Sequence, residues 1–293
     1  MAAEEGAGTG ASRATVCIYV PCYNLGDMLA AVLDGIAAQS VKPDQVLVID
    51  DASTDDPARI VARYPFAELI RHEVNKGLAA GRNTAFSNTT CDLVAGLDGD
   101  VVAEPNWLAA MLEEFADPKV GLVGGHLQES VAKTYADRWR WVHMRQEWGE
   151  ARIVDPPFIY GANTLARRAV WSAVHGYDEI LRTNGEDVDF SDRVKQLGFV
   201  TIYTPKARAR HLKADTIWSL QRAVWRYFYF GLKRWSLPKK GSRIIHDHIW
   251  QALVRRKARE DARAGRWDLV PLDLWIATYM LYRETRYRLS GED

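Results

Sequence analysis

The sequence predicts an α/β fold in which a mostly parallel, Rossmann-like sheet carries helices on its faces and a helical extension follows. Three observations predict it. Short apolar runs with β-branched members recur at 15–20 (TVCIYV), 45–50 (QVLVID) and 92–97 (DLVAGL), each followed by Pro, Asp or Gly, which is how buried strands read. Helical spacing separates the first two, with Leu25, Leu29, Val32, Leu33 and Ile36 on one face, and strand, helix, strand in repetition builds a parallel sheet. Past residue 215 the texture changes to aromatics interleaved with Arg and Lys.

The elements follow in order. Residues 1–13, opening MAAEEGAGTGAS, are small and Gly-rich without a basic start or an apolar run, so they read as a flexible tail and not a signal peptide. Residues 14–215 form the α/β domain. It holds further helices at 78–88, at 105–116 with Pro105 near the first turn, and after NGEDVDF, where Phe190, Val194 and Leu197 face inward; a strand is expected at 120–128. Residues 216–293 form the extension. Seven aromatics lie between 216 and 240, Pro238 closes that stretch, 243–262 is basic and helical, and the apolar run 269–282 is interrupted by Asp273, well short of the ~20 apolar residues of a spanning helix.

With 293 residues, 47% hydrophobic and 26% charged, the composition is that of a soluble globular enzyme. Cys17, Cys22 and Cys91 form no C-x-x-C pair, which excludes a zinc knuckle and fits a reducing, cytoplasmic setting. The zero net charge hides an asymmetry. Residues 1–204 carry 18 basic against 29 acidic groups, and residues 205–290 carry 20 against 7. An acidic body therefore precedes a cationic extension suited to an anionic surface.

Ligands of such sheets sit beyond the carboxyl ends of the strands, so PCYN, DDASTDD and DGD converge on one rim. Two like charges separated by one glycine, Asp98 and Asp100, are costly unless a cation or a set of donors holds them. The alternative is a polar turn, since Asp-Gly is a common turn pair. Ser53 or Thr54 is placed to cap a following helix. Glu186, Asp187 and Asp189 open a helix, where acidic groups also suit the dipole. Gly77 and Gly81 suit close helix packing.

VPCYN (20–24), VIDDASTDD (48–56), NKGLAAGRNTA (75–85), LDGD (97–100), GANTLARRAVWSAVHGYDE (161–179) and GEDVDFSDRVKQLGF (185–199) together resemble the nucleotide-sugar glycosyltransferases of family 2, which have the GT-A fold. The resemblance spans roughly residues 14–215 and implies a site. Asp100 binds a divalent cation, Mn²⁺ or Mg²⁺, and Asp98 meets the ribose or a metal-bound water. Asp51 accepts from the base, with Pro21 and Tyr23 lining its pocket; a carboxylate suits uracil or guanine better than adenine. Asn75 and Arg82 reach donor phosphate or base, Arg82 having as its alternative a salt bridge to the Asp51 loop. Asp187 is the catalytic base, Glu186 orients the acceptor and Asp189 is structural. His211 is a further metal or diphosphate contact, or else a satisfied core group. Gly161 and Asn163 sit beside the donor sugar, and Arg167 and Arg168 are solvated.

The expected activity is metal-dependent, inverting transfer of one sugar from a nucleoside diphosphate donor, with a UDP-sugar favoured, to a hydroxyl of a glycan, lipid-linked glycan or protein. The rivals are a polyprenyl-phosphate glycosyltransferase and a non-catalytic nucleotide or glycan binder. A nucleotidyltransferase would need a Gly-rich, Lys-containing loop after the first strand, which PCYNLGD is not. In the extension, Arg222, Arg226, Lys233 and Arg234 among Trp218, Trp225, Tyr227, Phe228, Tyr229, Phe230 and Trp235 suit either packing, favoured for most of the rings, or contact with an anionic membrane at its inner face. No nucleic-acid module accompanies them.

Overall fold

A computed structural model describes residues 13–129, 134–212, 214–234 and 250–290. The tail before Arg13, Trp235 and Pro238 lie outside the described residues. One nine-stranded sheet organises the body, in the order β3 (Ala67–Arg71), β2 (Gln45–Asp50), β1 (Val16–Cys22), β4 (Leu93–Leu97), β8 (Asn163–Arg167), β6 (Val120–Gln128), β9 (Val200–His211), β5 (Val101–Ala103), with β7 (Ile153–Val154) on β9. β1 to β4 pair in parallel, as do β6 and β9, whereas β8, β5 and β7 run against their neighbours.

The pleat sorts the strands' side chains between two cores. Val16, Ile18 and Val20 face α1 (Met28–Ala37) and α4 (Trp107–Glu113), while Cys17 and Tyr19 face α3 (Leu78–Ser87) and α7 (Glu186–Gln196), the alternation a strand's period of two dictates. Two local expectations fail. α2 (Pro57–Val61) is capped by Asp56, which accepts from the Arg59 N–H, because Ser53 and Thr54 are turned to Asn24. Leu197 is exposed, since α7 ends before it and its helical face no longer meets the sheet. Phe190 and Val194 are buried as expected.

The extension has its own core. Leu220, Val224 and Trp225 of α8 (Ile217–Arg234) pack with Leu272, Ile276 and Met280 of the closing helix (Val270–Ser290), and Ala136 and Trp139 of α5 (Tyr135–His143) join them from the body. A buried polar knot ties these parts. The Trp139 indole donates to Asp273 (2.8 Å), His143 Nε2 meets Asp261 (2.9 Å), and Arg266 meets the other Asp261 oxygen (2.9 Å). His143, Asp261 and Asp273 bring their ligand-type atoms within 4.8 Å of one another, but Arg266 and the Lys257 ammonium, 4.5 Å over the Trp139 ring, already bring positive charge there. Trp225 and Phe230 are buried and Phe228 and Tyr229 pack against this core, whereas Trp218 and Tyr227 are exposed. No described helix is long and apolar enough to cross a membrane.

Candidate active site

β4 stops at Leu97 and the chain turns at once, Val101 N–H donating to the Asp98 carbonyl (2.9 Å). The residue between the two acids has to be glycine. A Cβ on Gly99 would lie 2.1 Å from Leu25 Cδ1 and 2.6 Å from the Pro21 carbonyl, inside any real contact distance. The turn feeds β5, whose antiparallel register with β9 sets Val101 opposite His211. His211 Nε2 thereby lies 3.2 Å from Asp100 Oδ2, and its Nδ1 lies 3.0 Å from Glu129 just past β6. Burial opposes a charged imidazole, yet the hydrogen bonds to Asp100 and Glu129 overcome it and raise the His211 pKa to about 10.

Behind Asp98 stands Arg82, only 2% exposed, on α3. Its Nη2 lies 3.4 Å from Asp98 and 3.6 Å from Glu186, and the guanidinium lies 5.4 Å over the Tyr177 ring. The salt bridge to the Asp51 loop offered as its alternative role is not what forms; Arg82 pairs with the two site acids. Burial pushes the Asp98 carboxyl up against the pull of Arg82. Burial, with Asp187 adding repulsion, raises Glu186 to about 7. Gly161 leaves the room Arg82 fills, since a Cβ there would sit 1.8 Å from Arg82 Nη1. The Gly161 N–H donates to Asp187 Oδ2 (2.9 Å), and the Val188 N–H donates to Oδ1 (2.8 Å). Asp189 pairs with Arg193 one turn on.

A cavity of about 600 Å³ gathers these groups: Arg82, Asp98, Asp100, Gly161, Glu186, Asp187 and His211 all line it. The other sequence candidates lie elsewhere. Pro21, Tyr23, Asp51 and Asn75 occupy the rim at the ends of β1 and β2 and the loop before α3. Tyr23 is 49% exposed, leaving a face for stacking. Asp51 shapes that loop: Oδ1 accepts from Lys76 N–H and meets His72 Nδ1, and Oδ2 accepts from Gly77 N–H, each at 2.8 Å. The Asn75 amide donates to the Asp51 carbonyl (3.2 Å).

Asn163 is a correction. It is 1% exposed, accepts from the Trp107 indole and donates to the His126 carbonyl, so its amide ties β8 to α4 and β6 and does not face the cavity. Arg167 and Arg168 are half-buried, their guanidiniums donating to the carbonyls of Val120 and Cys91, and so are less solvated than expected. Glu129 and His72 were missed. Glu129 had one signal, a position just past a strand end on the ligand-binding rim, whereas nothing local marked His72.

The carboxylates of Asp98 and Asp100 and the imidazole of His211 are donor types that a divalent cation takes, but the Nε2 of His211 is turned to Asp100 as a protonated partner, so an ion would have to take the place of that proton. Glu129 on Nδ1 fixes the ring so that Nε2 is the nitrogen turned to Asp100, the outer-shell arrangement common for ligating histidines. These donor types fit Mn²⁺ or Mg²⁺ once the imidazole gives up its Nε2 proton.

Comparison with known proteins adds the decisive observation. The model of the family described as glycosyl transferase family 2 matches residues 17–173. The chain belongs to glycosyltransferase family 2. The pre-mycofactocin glycosyltransferase of Mycobacterium tuberculosis is 29% identical over 214 residues, 69% of this chain and 44% of that protein, so the chain spans less than half of that relative's length. The N-acetylglucosaminyl-diphospho-decaprenol L-rhamnosyltransferase of the same organism is 26% identical over 66% of this chain and 75% of its own. Among solved structures, the mannosyltransferase PcManGT of Pyrobaculum calidifontis, in complex with GDP-Man and Mn²⁺, superposes with a TM-score of 0.64 at 20% identity, covering 96% of this chain and 89% of that one. GalNAc-T7 with UDP, GalNAc and Mn²⁺ superposes with a TM-score of 0.58 at 16% identity, covering 77% of this chain and 52% of its own. The fold of this family 2 glycosyltransferase is thus GT-A-like, with added C-terminal helices.

Proposed function

We propose that this family 2 glycosyltransferase moves one sugar from a nucleoside diphosphate donor to an acceptor hydroxyl with inversion, and that it depends on Mn²⁺ or Mg²⁺. The observation that carries the reading is that one cavity is lined by Asp98, Asp100 and His211 together with Asp187 and Glu186, so groups suited to a cation and a candidate base share the space a donor and an acceptor would fill. Asp100 and His211 would hold the ion, and Asp98 would meet the ribose or a metal-bound water. When bound, the cation supplies neutralising charge to the departing diphosphate. The acceptor oxygen forms its bond to the anomeric carbon as the bond to the diphosphate breaks, the electron pair leaves with the diphosphate, and the hydroxyl proton passes to Asp187. Two backbone N–H groups aim that carboxylate, and Arg82 fixes Glu186 beside it as the group that orients the acceptor.

Uridine is our reading of the base. Asp51 Oδ1 is already engaged twice and Oδ2 once, which leaves room for one further N–H, matching the uracil imide better than the paired donors of guanine. Solved neighbours of the fold carry GDP-Man in one case and UDP in another. Incubation with a panel of nucleotide sugars tests the reading: release of free UDP that stops in EDTA and returns with Mn²⁺ is expected. Sugar binding without turnover under every condition would favour the non-catalytic binder.

The rival acceptor is a lipid phosphate, which needs little base catalysis; two relatives, an N-acetylglucosaminyl-diphospho-decaprenol L-rhamnosyltransferase and a glucosyl-dolichyl phosphate glucuronosyltransferase, are named for lipid phosphates that already carry a sugar and so favour a lipid-linked glycan instead. Full turnover by Asp187→Asn would favour the lipid phosphate. Peripheral contact with an anionic membrane is supported by the cationic balance of the extension and by exposed Trp218, Trp275, Tyr282 and Leu289.

A further inference from the structure

Residues 158–160 lead directly into Gly161, and the two half-buried rings among them, Phe158 and Tyr160, line the catalytic cavity. Packing holds both rings in place. Trp148, which does not line the cavity, has its ring centroid 5.2 Å from Phe158 and 5.4 Å from Tyr160, and those two rings stand 4.7 Å apart, edge to face. The Trp148 indole also donates to the Phe158 carbonyl (2.9 Å). Between the rings Ile159 is buried, and its N–H donates to Ser191 Oγ (3.0 Å), which in turn donates to the Asp187 carbonyl (2.8 Å). With the Gly161 N–H on the Asp187 carboxylate (2.9 Å), the segment is tied to the backbone and the side chain of that residue. The Tyr160 hydroxyl makes no hydrogen bond to any described residue and is not sealed from solvent. Burial raises its pKa, with Tyr227 and Asp187 adding to the rise, so it stays a protonated donor at neutral pH.

We infer that Phe158 and Tyr160 form the acceptor wall of the site and take a pyranose ring, whose C–H face lies on the aromatic pair and whose reactive hydroxyl meets Asp187. The inference rests on the transferase reading and deepens it by making the acceptor a sugar. Three arguments support it. Aromatic faces carry negative potential, which suits the weakly positive C–H groups of a sugar ring. Binding pockets combine apolar walls with a few polar groups that orient the ligand, and the Tyr160 hydroxyl offers one to a neighbouring sugar hydroxyl, whereas an alkyl chain would leave it without a partner. The ties through Ser191 and Gly161, finally, fix the wall and the carboxylate relative to each other. A ring seated on the wall therefore keeps its hydroxyl in one place, which is the alignment a transfer step requires.

The test is saturation-transfer NMR on the full chain with the methyl pyranosides of glucose, galactose, mannose and N-acetylglucosamine, with and without UDP and Mg²⁺, and with octanol as the alkyl probe. At least one pyranoside should take up saturation, concentrated on its ring C–H protons, and should bind about tenfold more weakly to Tyr160→Ala. Tyr160→Phe keeps the ring and its packing, so it folds as the unaltered chain does, and it should weaken the same pyranoside by about threefold to tenfold through the lost hydrogen bond. Saturation of none of the pyranosides, saturation of octanol equal to theirs, or affinity within about twofold of the unaltered chain in either folded variant overturns the inference. Uridine protons in the same samples report binding at the donor end by themselves, so failure of the transferase reading and failure of this one are separate results.

Discussion

The sheet rim and the helical extension meet at one cavity but handle charge in opposite ways. On the rim, acids are crowded and held: Asp98 and Glu186 share the buried Arg82, and Asp100 shares His211 with Glu129. In the extension the surplus is cationic, and its buried acids Asp261 and Asp273 are met by Arg266 and Lys257. The rim therefore holds its crowded acids with few buried cations, whereas the extension carries cations in excess. Changes on the rim should alter the chemical step, and changes in the extension should alter stability.

The largest effect expected from breaking this contrast is at Asp100. Asp100→Asn should lower Mn²⁺-dependent turnover by about 10²–10³, the scale of removing a group that stabilises developing charge, with little loss of Tm; initial rates against Mn²⁺ concentration check it. Next comes Arg82→Leu, which leaves Asp98 and Glu186 without their common counter-ion. A cost of ~3–5 kcal/mol in unfolding free energy is expected from urea titration. Gly99→Ala should cost about 1–3 kcal/mol by the same urea titration, because its methyl meets the Pro21 carbonyl and Leu25 in a packed turn; calorimetry should show weaker Mn²⁺ binding as the acid pair is displaced.

The smallest effect lies in the extension and depends on pH. Burial pushes the Asp273 carboxyl from 3.8 to about 6, against the Trp139 hydrogen bond and with the charge of Asp261 adding to it. Between about pH 4 and 6 the folded chain then holds more protons at this group than the unfolded one, so this contribution makes stability fall as pH rises. Asp273→Asn, neutral throughout and still able to accept from Trp139, should flatten that fall and raise Tm at pH 8 by roughly 2–4 °C. A Tm lowered at pH 8 would show that the carboxylate charge is stabilising there.

What the sequence disclosed follows the same division. Strands ending at Asp50 and Leu97 were legible because a buried run that stops on Asp or Gly has a period and a terminus within a few residues. The acids Asp98, Asp100, Glu186 and Asp187 and the distant His211 came together as their motifs implied. Long-range partners were not legible. Asn163 looked like a sugar contact until its amide met Trp107, 56 residues away. Arg82 was expected near Asp51 or the donor, and its burial between Asp98 and Glu186 depends on α7 packing beside α3. The antiparallel strand β8, which inserts between β4 and β6, had no distinctive pattern because both its neighbours bury it. Ring exposure in α8 was equally hidden, since Trp218 and Trp225 differ only in which face of the helix they occupy.

A paired assay of two variants asks whether leaving-group stabilisation and base catalysis fall to different residues of the one cavity. Donor binding with Mn²⁺ and sugar transfer to an alcohol acceptor are measured side by side for Asp187→Asn and Asp100→Asn. Asp187→Asn should retain donor and Mn²⁺ binding within about threefold while losing transfer by ~10²–10⁴, and Asp100→Asn should lose both. Transfer undiminished in Asp187→Asn, or Mn²⁺-dependent donor binding undiminished in Asp100→Asn, would contradict that division of roles.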